Sequence, residues 1–397
     1  MTSGYLTKRR GKNPGSQAAL RQSNQQRIVQ ALLQAGSLTQ AELSRQTGLS
    51  TATVSNIVKS MVDRGLLTTS PTTSSGRRAL AVSLSGDDTV AAGIDIGRSH
   101  VRVVLATINY GVIGERWVRL PLGHEADFAL NVASTVLDEV LEETGRRRDA
   151  IIGVGLGVPG PIDRRNHTVI DGTILPEWVG ITLDHIQSRL DLPVTLENDA
   201  NLGAIAEIAW GPHKNVDNLI FVKVGTGIGS GLILGGELFR GHVGVSGEIG
   251  HLTIHEHGLI CRCGNRGCLE TVASTAIMIE LLSRERPSVR TTNDIIELAQ
   301  AGDKATLHVI DDAGNALGRA LAAIANLVNP QMIVVGGPLT GLGEMLLEPV
   351  RKSFARYSSP VVHESTDLTM SSFTDRAEAL GGAAIVIHDF EAVGFET

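Results

Sequence analysis

The stretch CRCGNRGCLE, residues 261–270, holds all three cysteines of the chain, Cys261, Cys263 and Cys268. Three thiols so close together suit coordination of Zn2+, and Gly264 and Gly267 give the backbone freedom to fold them around one centre. The first fifteen residues are basic and polar and do not read as a secretory leader, so with an odd cysteine count no disulfide framework is expected. A structural zinc site closes with a fourth ligand, and spacing alone leaves four histidines open: His242, His251, His255 and His257. Three thiolates and one imidazole leave no position for water. The expected metal therefore staples a loop and does not hydrolyse a bond.

A second chemistry is written in the charge distribution. The net charge of −7 divides unevenly: residues 1–85 carry 11 Lys/Arg against two acids, and the remainder carries 24 against 40. One end is built to meet a polyanion. Within it, Thr39 and Glu42 form a capping box for a helix through about Gln46, Gly48 supplies a tight turn, and Ser50 caps the next helix. There Val54, Ile57, Val58, Met61 and Val62 recur at helical spacing as one buried stripe. The opposite face presents Thr51, Thr53, Ser55, Asn56 and Lys59, short polar groups and one cation suited to a major groove. An alternating ribbon follows, turning near 74–76, with Arg77 and Arg78 placed to reach phosphate or a minor groove. With a first helix over 24–34, these elements predict a winged helix–turn–helix.

Behind these residues stand the elements that must hold them. The length of 397 residues suggests two or three units, and 45 glycines with 3% aromatic residues suit an α/β protein with many tight turns. No apolar run reaches the length of a membrane span, so a cytoplasmic location is expected. After a polar link near 85–89, residues 89–117 read as strand, glycine turn, strand, turn, strand. Residues 218–241 repeat that rhythm. Two such hairpin units, each followed by helical segments, predict a duplicated two-lobed fold with a cleft between the lobes. The expected organisation is a basic N-terminus over 1–23, the DNA-binding domain over 24–85, and a two-lobed domain over 86–397 with the metal loop at 248–270.

The segments GIDIGRS, GVGLGVPGPID, ENDANLGAIAE, VGTGIGSG, GEIGH, CRCGNRGCLE and NPQMIVVGG stand in this order. In sequence and order they resemble the ROK family of repressors and sugar kinases, whose fold is the α/β two-lobed actin-like ATPase fold. The likeness covers nearly the whole of residues 90–390, and the helix–turn–helix arm ahead of it resembles the family's transcriptional regulators.

That resemblance implies further roles. It places the fourth zinc ligand at His251, and metal closure would then hold Glu248 and Glu270 near one cleft. It makes Asn198, Asp199, Glu248, His251 and Glu270 contacts to the hydroxyls of a monosaccharide or amino sugar, groups suited to several directional hydrogen bonds. Asp199 is the position of the catalytic base in the family's kinases. The kinases read Asp-x-Gly-Gly-Thr at the first phosphate turn, whereas this chain reads Asp95-Ile96-Gly97-Arg98-Ser99-His100, with a long side chain where backbone should approach phosphate. The implied function is a sugar-responsive repressor, with an ATP-dependent sugar kinase carrying a DNA-binding arm as the alternative. The implied partners are a double-stranded operator of inverted-repeat form, a sugar, and further copies of the chain in a homodimer or homotetramer.

Overall fold

A computed structural model describes residues 24–25, 27–29, 31–32, 35–63, 67–74, 77–84, 89–170 and 174–393. The basic segment expected over 1–23, the wing tip at 75–76 and the boundary expected at 85–86 lie outside the described residues. The chain divides into two compact units, one built on Met1–Val90 with Thr107–Gly111 and Ile387–Thr397, the other on Ala91–Ala106 and Val112–Val386.

In the first unit, helical residues between 24 and 35 (α1) precede a short strand β1 (Ser37–Thr39) and helices α2 (Gln40–Thr47) and α3 (Thr51–Asp63). Strands β2 (Leu67–Ser74) and β3 (Arg77–Leu84) pair antiparallel, and β1 joins them in the order β1-β3-β2. The capping box forms as the sequence predicts: Glu42 N donates to Thr39 Oγ1 at 3.3 Å, and Thr39 N donates to Glu42 Oε2 at 2.7 Å. Gly48 closes α2 in the left-handed region at φ 68°, and Thr53 N donates to Ser50 Oγ at 3.1 Å to start α3. Val54, Ile57, Val58 and Met61 are buried against Ile28, Leu32, Leu43, Leu67 and Val82. Val62 is half-buried at the edge of this core. Strand β1 has no signature in the sequence, because three residues give no alternation to read.

The second unit opens with β4 (Val90–Gly97), β5 (His100–Thr107) and β6 (Val112–Arg119), followed by α4 (Ala126–Thr144) and β7 (Ile151–Val158). A small hairpin of β8 (Ile162–Asp163) and β9 (Thr168–Val169), then α5 (Leu183–Leu190), lead to β10 (Val194–Asn198) and α6 (Asp199–Ala209). The second lobe repeats the plan with β11 (Leu219–Val224), β12 (Ile228–Leu234) and β13 (Glu237–Leu238), then α7 (Glu270–Ala273), α8 (Thr275–Ser283), α9 (Thr292–Gln300) and α10 (Lys304–Val328). It ends with β14 (Met332–Gly336), α11 (Glu344–Tyr357), α12 (Pro360–Ser365), β15 (Asp367–Met370) and α13 (Ala377–Val393).

The two five-stranded sheets run β10-β7-β4-β5-β6 and β13-β12-β11-β14-β15. Each is three strands in sequence, then two added on the far side of the first strand. The fold is duplicated. Strand β4 is buried along its whole length, as a strand covered on both faces must be. Helix α13 approaches its sheet so closely that a Cβ on Gly155 would stand 2.0 Å from the carbonyl oxygen of Gly382. A Cβ on Gly93 would likewise meet Ala379 O at 1.7 Å, so the missing side chains of Gly93 and Gly155 let α13 pack against the middle of β4 and β7. Among the described residues no helix is long and apolar enough to cross a membrane.

Candidate effector site, metal centre and nucleic-acid interface

Between the two sheets lies a cavity of about 530 Å³, lined by Asn198, Asp199, Glu248, His251 and Glu270 together with Asp95, Lys223 and Glu378. All five residues implied as sugar contacts therefore face one space. The junction of β10 and α6 sets the first two. Asn198 caps α6, its Oδ1 accepting from Ala200 N at 2.9 Å and Asn201 N at 3.2 Å, while its Nδ2 donates to Gly160 O at 3.0 Å. Behind it, buried Glu197 accepts from Arg240 Nε at 2.7 Å and Asn201 Nδ2 at 2.9 Å, so the cap rests on a charged brace.

Asp199 begins the helix. Its Oδ1 accepts from Ala200 N at 2.8 Å and its Oδ2 from Lys223 Nζ at 2.8 Å. Lys223 rises from β11 and also stands 3.1 Å from Glu378 Oε1, on the first turn of α13. Burial opposes its charge, but Asp199, Glu378 and Asp95 hold the ammonium protonated well above the ordinary lysine range. Burial and the neighbouring carboxylates push Glu378 up, against the pull of Lys223. Sequence reasoning misses Lys223 and Glu378. A lone lysine in a strand and a glutamate opening a helix carry no signature of a shared site.

The first glycine turn, between β4 and β5, departs from a phosphate cradle in a way the sequence only half reveals. Arg98 and Ser99 are exposed at its tip. His100 folds back over it: a Cβ on Gly97 would stand 2.2 Å from the imidazole Cε1. The ring stacks on Trp117 at a centroid distance of 6.3 Å, and its Nε2 pairs with Asp95 Oδ2 at 2.8 Å. The imidazole thus occupies the side of Gly97 where a Cβ would stand, while Gly97, Arg98 and Ser99 still line the cavity. Burial opposes the Asp95 charge, yet Lys223 and His100 hold its carboxyl below the usual range.

The cysteine loop folds as a tight hairpin, with Cys261 N donating to Asn265 O at 2.7 Å. Gly267 has φ 68°, and a Cβ there would meet His255 O at 1.6 Å. Among the described residues, the donor atoms of His251, Cys261, Cys263 and Cys268 all lie within 4.8 Å of one another. Cys263 and Cys268 Sγ are 3.7 Å apart, and Cys261 Sγ is 3.6 Å from His251 Nδ1. Tetrahedral zinc with Zn–S of about 2.3 Å and Zn–N of about 2.0 Å requires edges of roughly 3.5–3.8 Å, which these two pairs match, and three thiols with one imidazole are the donor types the ion takes. Burial pushes the Cys261 thiol up, and Glu270, to which it donates at 3.1 Å, adds to the shift. Glu270 also accepts from Arg262, and Glu248 stands 3.7 Å from His251 Nε2. The cysteine loop and the residues beside it thus carry one wall of the cavity.

In the first unit, Thr51, Ser55, Asn56 and Lys59 are exposed along α3, opposite its buried stripe. Thr53 is half-buried, and its hydroxyl lies 2.8 Å from Ser50 Oγ within the cap. Arg78 is exposed on β3, paired in register with Thr73. Arg77 pairs through its backbone with Ser74, and its side chain lies outside the described residues.

The profile of the ROK family matches residues 91–389, three quarters of the chain. The chain belongs to the ROK family. A MarR family profile matches residues 22–78 of this ROK protein, the segment that folds as the winged helix–turn–helix. The xylose repressor of Bacillus spizizenii is 32% identical over 377 residues, spanning 94% of this chain and 97% of that protein. A crystal structure of a ROK family transcriptional regulator, a homologue of the E. coli MLC protein, superposes with a TM-score of 0.78 at 25% identity, covering 95% of this chain and 98% of that one. A ROK family glucokinase from Streptomyces griseus, in complex with glucose and AMPPNP, gives a TM-score of 0.67 at 27% identity, covering 75% of this chain and 98% of that one.

Proposed function

We propose that this ROK protein is a sugar-responsive transcriptional repressor acting in the cytoplasm. It would hold an inverted-repeat operator through α3 and the β2–β3 wing in a dimer or tetramer, and leave that operator when a monosaccharide or amino sugar occupies the cleft. The observation that carries the reading is the closed first turn. The residues implied as sugar contacts line one cavity, while His100 packs against Gly97 in the turn where a nucleotide phosphate would approach, and both support this reading. Likeness to a xylose repressor along both units supports the same reading.

Within this reading, Asn198 and Asp199 contact sugar from the first lobe's side, and Glu248, His251 and Glu270 from the metal loop. A structural Zn2+ held by His251, Cys261, Cys263 and Cys268 supplies only cross-linking of that loop. Exposed Asn56 is favoured for base contact, with Thr51 and Ser55 beside it. Thr53 serves the helix cap as well. Lys59, Arg77 and Arg78 supply attraction to the phosphate backbone.

An ATP-dependent sugar kinase carrying a DNA-binding arm is the second reading, supported by the intact second glycine turn at 225–231 and by likeness to a glucokinase. Fluorescence anisotropy on an operator selected from a random duplex library, titrated with a hexose and pentose panel, tests the first reading. Release by one sugar without ATP supports it. Operator binding indifferent to every sugar, with ATP-dependent phosphorylation of one of them, gives the second.

A further inference from the structure

Three carboxylates from three elements line the cavity: Asp95 of β4, Asp199 of α6 and Glu378 of α13. All three are more than nine-tenths buried. As they stand their oxygens are not among the donor groups close enough to hold an ion, but like charges in a buried place repel until something positive lies between them. Here something positive already does. Lys223 Nζ stands 2.8 Å from Asp199 Oδ2 and 3.1 Å from Glu378 Oε1. The approach to Glu378 lacks hydrogen-bond geometry, and Asp95 Oδ1, also buried, has no hydrogen-bond partner. The other Asp95 oxygen is held by His100, and Arg102 adds its field to the same carboxylate.

We propose that Lys223 is the resident cation of this pocket: it takes the role of a divalent ion among the three carboxylates and orients Asp199 toward the sugar hydroxyls, so that effector binding requires neither metal nor nucleotide. The proposal rests on the reading of the cleft as a sugar site. An ammonium is a fixed point charge delivered by the chain itself, so the pocket is assembled in the absence of any co-ligand. With one of its donors on Oδ2, and Ala200 N on Oδ1, Asp199 has a set orientation. Its remaining lone pairs accept from hydroxyls and do not vary with metal supply. Lys223 is thereby a positioning residue acting through Asp199.

The experiment uses the full chain with its zinc in place, in three forms: wild type, Lys223→Met, and the charge-balanced Lys223→Met/Glu378→Gln. Mn2+ alone is the metal probe, followed by water-proton relaxation. A sugar panel of xylose, glucose and N-acetylglucosamine is followed by calorimetry with and without Mg2+ and a non-hydrolysable ATP analogue. Wild type is expected to take up no Mn2+ in the cleft, and its sugar affinity should not respond to Mg2+ or nucleotide. Lys223→Met should bind Mn2+, lose about tenfold or more in sugar affinity (about 1.4 kcal/mol), and recover most of it when Mn2+ is added. A purely structural lysine would give no such metal rescue.

The double variant, should the single one fold poorly, is expected to fold, to bind Mn2+ more weakly than the single variant, and to bind sugar more weakly than wild type. Mn2+ uptake by the wild-type cleft overturns the proposal. So does wild-type sugar affinity in either variant, or a loss that Mn2+ leaves unchanged in Lys223→Met. If no panel sugar binds wild type while Mn2+ uptake still depends on removing Lys223, the sugar reading fails and the cation assignment stands.

Discussion

His100 and Asp95 close the first turn between them: the imidazole lies over the backbone of Gly97 while its Nε2 holds Asp95 Oδ2 at 2.8 Å. Phosphoryl transfer needs that backbone near phosphate and that carboxylate near a metal. Both are engaged. A coupled assay with ATP and a hexose panel is therefore expected to give no turnover. The double change Arg98→Gly/His100→Thr should uncover the turn and raise affinity for a fluorescent ATP analogue about tenfold, without turnover, because Asp199 stays paired with Lys223. Wild-type phosphorylation at about 1–100 per second, abolished by Asp199→Asn, would make this protein a kinase.

The metal centre is tested by removing one sulfur. Cys263 is half-buried, so serine fits there sterically but offers a poor ligand to zinc. Elemental analysis of protein purified without added metal should find one zinc per chain in wild type and none in Cys263→Ser. The loop then loses its cross-link, and stability should fall by on the order of 3 kcal/mol or more. Sugar response should weaken too, since Glu248 and Glu270 flank that loop in the sequence and line the cavity. Well-folded, sugar-responsive protein that contains no zinc would count against the assignment.

Glu207, on α6, gives a prediction in pH. Burial raises its carboxyl from 4.5 to about 7, against a hydrogen bond from Ser371. Ser371 Oγ donates to Oε1 at 2.6 Å, Oε2 has no hydrogen-bond partner, and His213, itself pushed down by burial, is 3.9 Å away. The native state binds this proton more tightly than the unfolded chain does. The resulting stabilisation is complete below about pH 4.5 and is lost as pH rises through about 7. Its size is on the order of 3 kcal/mol. Glu207→Gln should remove that slope from urea midpoints between pH 5 and 8 and leave the variant more stable than wild type at pH 8. Parallel pH profiles for the two proteins would refute the assignment.

Legibility follows the range of the interactions. The helix–turn–helix is readable because Thr39, Glu42, Gly48 and Ser50 act within a few residues of themselves. The candidate metal cluster is readable because its three cysteines share one hairpin, and His251, the distant fourth member, comes only with the family likeness. The duplicated strand–turn–strand rhythm announces two lobes. What stays hidden is what three-dimensional closure brings together. Lys223 meets Asp199 from 24 positions away, and Glu378 arrives on the last helix. His100 stands in plain view beside Arg98, yet its fold back over Gly97 depends on Trp117 and Asp95 as neighbours. Spacing announces a turn but not which side chain covers it.

On DNA, the charge of the wing and the amide of α3 should separate. Arg77→Ala with Arg78→Ala removes two cations from the wing, so operator and non-specific DNA should both be bound more weakly. The slope of log affinity against log salt should become shallower by roughly two, about 0.9 for each phosphate that is no longer neutralised. Asn56→Ala should leave that slope unchanged while losing about 1–3 kcal/mol of discrimination at one base pair in each half-site. A wing variant with wild-type affinity across salt concentrations would remove the wing from the interface.

Communication between cleft and DNA is tested by reciprocity. Sugar that releases the operator must itself bind less tightly to the DNA-bound protein, by the same factor. A coupling of about 1–3 kcal/mol corresponds to roughly 5–150-fold. Two titrations measure it independently: operator affinity at saturating sugar, and sugar affinity at saturating operator. Asp199→Asn then isolates the cleft. Asparagine keeps the size of the side chain, and Lys223 retains Glu378 as a counter-ion, so the fold should persist. The amide cannot accept from sugar hydroxyls as a carboxylate does, and its NH2 group faces the Lys223 ammonium or the ligand. Sugar affinity should fall about tenfold or more, while operator affinity without sugar stays within about twofold of wild type. Release should then need proportionately more sugar and reach the same end point, because the variant weakens the ligand and leaves the two states it selects between. Loss of operator binding in Asp199→Asn without sugar, or coupling factors that differ between the two titrations, would show that cleft and DNA arm do not share one equilibrium.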